Sequence, residues 1–349
     1  MNYNNFNLLR LFAAIQVVLG HSTTHLLKDF GGDLTGFWTV LSLLHYLPGV
    51  PIFFLLSGFL ISMSYDKNNN LKNYTVNRIL RIYPALYVNI IVGLFILSYF
   101  GFLEFNSELI GWILAQISIV QFYNPEMFRG FGVGVINGAL WTISVELIFY
   151  IVLPIIFYLW KKHKSVILIS FFISYLLWNY DISSDKEIFY NKLLHVTIIP
   201  YLFMFLLGAI FYRYHENLKK IIDGRFIWWF ILFVISELLT NYFISDSGVV
   251  INIIKWIIFS FMIFSFAFSF KYLSNFLIRR NDFTYGIYIY HMLIINVFVH
   301  LKMVGDMKYI AYVLALTITA GVISWFFIEK PFLRLKSHSI FNETRKKRK

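Results

Sequence analysis

Long apolar runs separated by short polar turns recur along this chain from its first residues to about position 328. A helix that crosses a bilayer needs roughly 20 apolar residues. Runs of about that length fall at 8–25, 44–64, 83–101, 139–160, 165–180, 193–212, 226–243, 250–270, 284–302 and 308–328. An eleventh apolar stretch, 109–123, is shorter, and the loop after it holds Gly130, Gly132, Gly134 and Gly138. Lipid offers the backbone no hydrogen-bond partners, so each run is read as a helix that satisfies its own N–H and C=O groups. The pattern predicts an all-α integral membrane protein of about ten transmembrane helices, with a short extra segment that dips into the membrane and no soluble domain. Residues 1–335 form this membrane domain, and 336–349 form a basic cytoplasmic tail. The first run is interrupted by Gln16 and His21 and has no small-residue cleavage site behind it, so it is expected to be retained as a helix.

Composition agrees with the pattern. Hydrophobic residues make up 59% of the chain and charged residues 14%, where a soluble domain carries about 25% charged residues. The net charge of +12 could point to anionic partners, but the positions of the charges explain it better. With a cytoplasmic N-terminus and a segment 109–123 that does not cross, 23 of the 30 Lys and Arg residues fall on the cytoplasmic side. The outer side keeps Lys28, Arg129, Lys186, Lys192, Lys255, Lys302 and Lys308. This is the positive-inside bias, and it puts both termini in the cytoplasm of a bacterial cell, with the chain in the plasma (inner) membrane. The run Arg345-Lys-Lys-Arg-Lys349 is too short to argue for a nucleic-acid partner. The absence of cysteine excludes disulfides, thiolate metal ligands and cysteine nucleophiles. No metal site and no permanently bound cofactor is expected.

Candidate chemistry lies in the residues that do not belong in lipid, because an ionisable side chain within a span costs several kcal/mol unless it is paired or hydrated. Arg10 and His21 share the first helix. Eleven residues at about 100° each return to within about 20° of the same face, and at about 1.5 Å per residue His21 lies ~16 Å deeper. Arg10 can also be read as an interface anchor. Glu146, in Trp141-Thr-Ile-Ser144-Val-Glu146-Leu-Ile-Phe-Tyr150, sits at a comparable depth. A buried carboxylate needs a partner, and a histidine is a suitable one. Arg78 and Arg81 stand side by side at a helix start, as a phosphate clamp requires, although plain positive-inside charge also accounts for them. Ser57 and Gly58 make a small-residue notch in Phe53-Phe-Leu-Leu-Ser-Gly-Phe59 that suits close helix packing. His291 closes Tyr285-Gly-Ile-Tyr288-Ile-Tyr-His291 and is also intramembrane. With Ser57, Gly58, Trp141, Ser144 and Tyr288 it is a candidate pocket residue. Glu237 lies near the outer end of its span.

Taken in order, these pieces resemble the membrane-bound acyltransferase family 3. The resemblance rests on the Arg10-to-His21 spacing, the Phe53–Phe59 notch, Arg78-x-x-Arg81-x-x-Pro84, Trp141–Glu146 with Tyr150, Tyr285–His291 and Glu329-Lys-Pro331, and it covers nearly the whole chain. It implies a ten-helix core that takes an acyl group, expected to be acetyl, from cytoplasmic acyl-CoA (acetyl-CoA). The group would go to a hydroxyl of a cell-surface carbohydrate or lipid-linked glycan. By matching motif positions, His21 is implied as the catalytic histidine and Arg10, Arg78 and Arg81 as the groups that serve the donor's phosphates. Some members carry an esterase-like soluble domain after the last helices, and none is expected here.

The residues fit that chemistry on their own terms. Transfer from a thioester to an alcohol needs a base near neutral pH, and histidine has a suitable unperturbed pKa. A carboxylate on its other nitrogen, the role offered to Glu146, would set the tautomer and stabilise the imidazolium. His21 could serve as general base or as a transient acyl carrier. A transporter or flippase also places charge at mid-membrane, but paired halves with matching broken helices are not visible in this chain. A non-catalytic scaffold leaves Arg10, His21 and Glu146 without a role.

Overall fold

Each of the ten predicted ranges is occupied by helix in the computed structural model, which describes residues 4–28, 44, 46–67, 70–243, 249–270, 272–279 and 281–335, without the side chains of 241–243 and 249–251. The basic tail 336–349 lies outside the described residues. In chain order the helices are α1 (Phe6–Leu26), α2 (Gly49–Lys67), α3 (Leu71–Tyr99), α4 (Ser107–Ile117), α5 (Trp141–Lys162), α6 (Lys164–Ser183) and α7 (Phe189–His195). They continue with α8 (Leu202–Arg213), α9 (His215–Ile222), α10 (Phe226–Phe243), α11 (Val249–Ser269), α12 (Leu273–Ile278), α13 (Thr284–His300) and α14 (Met307–Ser324). No strand occurs among the described residues. The protein is an all-α integral membrane protein.

Fewer of these helices are plain spans than the ten expected. By length and apolarity six can cross a membrane on their own, or seven if a bent pair counts as one span. The polar residues Asn7, Gln16, His21, Ser22, Thr23 and Thr24 dilute the apolar character of α1. Helix α13 has 17 residues, about 25 Å at 1.5 Å each. The bent pair falls where a straight helix over 193–212 was expected: the chain turns by 47° between Phe189–His195 and Ile199–Arg213. Pro200 stands at this break, where it offers no backbone N–H and restricts the residue before it. The Tyr201 hydroxyl donates to the His195 carbonyl across the bend, at 2.8 Å.

Segment 109–123 behaves as predicted in one respect. Its helix, α4, is 11 residues long, about 16 Å, which is half of the ~30 Å hydrocarbon core. Asn106 caps it by accepting from Leu109 N at 3.0 Å.

The chain forms two compact units. The first comprises Met1–Ala13, Ser42–Lys67 and Val145–Asn281. Its centre is the crossing of α2 and α8, where Gly58 and Gly208 let the backbones touch. A Cβ on Gly58 would lie 2.2 Å from the Phe205 carbonyl oxygen, and one on Gly208 would lie 2.1 Å from that of Leu55. The small-residue notch is therefore a packing device. Asn5 fastens the start of α1 to the end of α11: its amide donates to Phe266 O (3.2 Å) and Phe270 O (2.9 Å) and accepts from Ser274 N at 3.0 Å.

The second unit comprises Ala14–Leu41, Asn68–Ser144 and Asp282–Lys349. Here α13 and α14 meet through glycines, a Cβ on Gly286 lying 2.9 Å from the Gly321 Cα. Buried amides bind the rest to α13. Asn89 and Asn137 both donate to the Ile289 carbonyl at 2.8 Å, and Asn137 also donates to Asn89 Oδ1 at 3.0 Å. The glycine-rich loop after α4 docks on Asn296, which accepts from Val133 N at 2.7 Å and donates to Val135 O and Ile136 O. Gly132, at φ +56°, makes that approach possible, since a Cβ there would come within 2.1 Å of Asn296 Oδ1.

Candidate active site

Helix α13 is buried from Thr284 to Leu293. Its carbonyls carry extra partners, and one of these is its own histidine. Nδ1 of His291 lies 2.6 Å from the Tyr288 carbonyl oxygen, three residues back. The side chain is 0% exposed. Nε2 of His291 lies 3.4 Å from Nδ1 of His21, and the ring centroids are 5.1 Å apart at 64°. His21 is half-buried, and its Nδ1 also lies 2.8 Å from Met292 Sδ. Both hydrogen-bond contacts of the His21 ring are on Nδ1. The Tyr288 hydroxyl, 2.7 Å from Thr142 Oγ1, braces α13 just below this pair.

The second unit thus brings together His21, His291 and Tyr288 among the sequence-predicted residues. Ser144 is engaged elsewhere: its hydroxyl donates to Gln121 Oε1 at 2.7 Å and accepts from Gln121 N at 3.0 Å. Trp141 opens α5 and is half-buried.

In the first unit, the Glu146 carboxylate accepts from the Tyr150 hydroxyl at 2.6 Å and from the Ser57 hydroxyl at 3.1 Å. Two O–H donors give this half-buried group the partners it needs. The groups within hydrogen-bond distance of His21 Nδ1 are His291 Nε2 and Met292 Sδ. Arg10 is half-buried on α1.

The arginines predicted as a pair differ. Arg81 is bound to protein carboxylates: Nη2 lies 2.5 Å from Asp282 Oδ2 and Nη1 lies 3.9 Å from Glu329 Oε2. Both acids are buried, at 7% and 2% exposure, and Ser324 donates to Glu329 Oε1 at 3.0 Å. Arg78 stacks its guanidinium over the Tyr74 ring, 5.8 Å from the centroid.

Sequence reading passed over Met292, Asp282, Asn89, Asn137 and Asn296, and used Glu329 only as a pattern marker. The signal was present for the amides, since an asparagine in an apolar helix must find a hydrogen bond in the protein. For Asp282 it was the scarcity of acids, 18 in the chain, against an arginine at a helix start.

Fold and site together define a polytopic helical membrane protein with a histidine pair held inside one of its units. A family model described as an acyltransferase domain, that of acyltransferase family 3, matches residues 3–329, and the chain belongs to this family. It is 33% identical over 353 residues to Nodulation protein 10 of Rhizobium leguminosarum bv. viciae, covering 96% of this chain and 94% of that protein. To the O-acetyl transferase of Shigella phage Sf6 it is 24% identical over 344 residues, 96% of this chain and 97% of the other. A shorter match, 34% identical over 134 residues, links 34% of the chain to 21% of the peptidoglycan O-acetyltransferase OatA of Listeria monocytogenes. No solved structure matches the chain. The protein is an acyltransferase that transfers acyl groups other than aminoacyl groups.

Proposed function

We propose that the protein is an O-acetyltransferase that moves an acetyl group from cytoplasmic acetyl-CoA to a hydroxyl of a cell-surface or lipid-linked carbohydrate. The observation that carries this reading is the family match across residues 3–329, which contains His21 beside the buried His291. The names of two relatives, both O-acetyltransferases and one of peptidoglycan, support the oxygen acceptor and the carbohydrate.

In this reading His21 removes the acceptor's hydroxyl proton as the oxygen forms a bond to the thioester carbonyl carbon. The C–S bond then breaks, and the CoA thiolate takes up a proton. If His21 carries the acyl group in between, a nitrogen of its ring attacks first and the hydroxyl attacks the acyl-imidazole second. Arg78 serves the donor's phosphates, the chemistry for which arginine is suited. Arg81 is charge-compensated by Asp282 and Glu329, so it is assigned to holding the fold and not to the donor. The charge bias supports cytoplasmic termini in a bacterial plasma membrane.

Purified protein in lipid nanodiscs tests this. CoA release from acetyl-CoA that depends on an added membrane glycan fraction, with acetyl esters then found on that glycan, is the expected result. Solute uptake without any CoA chemistry would favour a transporter. Orientation is tested by putting cysteine at His163, in the turn between α5 and α6 of this cysteine-free chain. Impermeant reagent should label it only from the cytoplasmic side.

A further inference from the structure

Two histidines face each other in the second unit, and the inner one has a partner that decides its proton. A backbone carbonyl can only accept. The Tyr288 oxygen, 2.6 Å from His291 Nδ1, therefore requires Nδ1 of His291 to be the protonated nitrogen. In a neutral imidazole the other nitrogen is then a bare acceptor. That nitrogen, His291 Nε2, is the one that faces His21 Nδ1 at 3.4 Å. The second group at His21 Nδ1 is the Met292 sulfur, at 2.8 Å, and a thioether can only accept as well. Two acceptors converge on one nitrogen, which must supply the hydrogen.

We infer that His291 is a positioning residue for acyl transfer: it locks His21 as the Nδ1–H tautomer, so that Nε2 of His21 carries the lone pair that takes the proton or the acyl group. This rests on the reading of His21 as the reactive group. His291 itself is held fast. It is fully buried, and α13 around it is tied by Asn89 and Asn137 to the Ile289 carbonyl and by Thr142 to the Tyr288 hydroxyl.

The choice of a neutral orienting group suits the membrane. A carboxylate on the ring would place a permanent charge in a low-dielectric site, which is costly unless it is well paired. A neutral histidine presents a lone pair without a resting charge. When His21 Nε2 takes the hydroxyl proton, Nδ1–H stays directed at His291 Nε2, and the positive charge exists only while the acyl group is in transit. No proton has to move between the rings. The tautomer is set in advance, so no reorganisation is required at the moment of reaction.

The direct test is ¹⁵N NMR of histidine-labelled protein in nanodiscs, with the His21 signals assigned by their loss in His21→Ala. The wild type should show neutral His21 protonated on Nδ1. His291→Ala should turn this into a mixture of tautomers and lower kcat at least tenfold, with the KM for acetyl-CoA unchanged. His291→Gln, which keeps an acceptor oxygen, should recover part of both signals. Wild-type His21 protonated on Nε2 would overturn the inference without any variant at position 291. So would a folded His291→Ala protein with unchanged tautomer and kcat. The function reading fails separately, if His21→Ala itself turns over normally.

Discussion

Two clusters of ionisable side chains in the second unit meet the cost of polarity near lipid in opposite ways. Around Arg81 the solution is compensation: one guanidinium is set against Asp282 and Glu329, with Ser324 filling a further lone pair. Around His21 the solution is neutrality, with two imidazoles, a carbonyl and a thioether, none of which needs to carry charge at rest. A compensated charge is held in place by its partners and resists a new ligand. A neutral dyad leaves one nitrogen able to accept a proton and return it. The contrast separates polarity that holds the fold from polarity that is proposed to react.

The comparison can be broken most forcefully at Arg81. Removing it takes the guanidinium away from two buried carboxylates, so Arg81→Ala should destabilise the protein by about 3–5 kcal/mol, read as a large drop in unfolding temperature in detergent. A stable Arg81→Ala protein whose only defect is a higher KM for acetyl-CoA would restore the phosphate-clamp reading. Arg78→Ala is the counterpart and should do what Arg81→Ala does not. Loss of a charge-assisted phosphate contact costs about 1.5–3 kcal/mol, raising the KM for acetyl-CoA while thermal stability stays near wild type. A purely packing lesion is expected from Gly58→Ala. The added carbon lands 2.2 Å from the Phe205 carbonyl oxygen, and the strain should cost about 1–3 kcal/mol in stability, seen in the same thermal assay. The smallest effect belongs to Glu146→Gln. The amide oxygen still accepts from Tyr150 and Ser57, so stability should fall by no more than about 1.5 kcal/mol, with turnover reduced less than tenfold. A loss of 10²-fold or more there would return Glu146 to the catalytic machinery.

Much of this was legible before any coordinates. Apolar run length located helices over all ten predicted ranges, because a lipid-facing helix has to advertise itself in composition. The bend at Pro200 is marked by the proline and by the Tyr201–His195 bond, and apolar run length alone does not register either. In the site, burial cost alone pointed to His21 and His291, and charge alone to Arg78 and Arg81. Depth along a helix could not say which partner each would choose. Glu146 and His291 are both intramembrane candidates in the sequence, and it takes the folded chain to bring His291 Nε2 to 3.4 Å from His21 Nδ1. Arg81 meets Asp282, some two hundred positions later in the chain. Long-range pairing of that kind leaves no trace in spacing.

Single-turnover kinetics of His21→Ala tests the central claim most directly. The variant would be purified in nanodiscs, checked for wild-type unfolding temperature and acetyl-CoA affinity, and mixed with labelled acetyl-CoA and glycan acceptor. Loss of the reactive imidazole should slow acetyl transfer by about 10²–10⁴-fold, or further if the acyl group rides on the ring. A folded, donor-binding His21→Ala protein that acetylates the glycan at a near-normal rate would contradict the account.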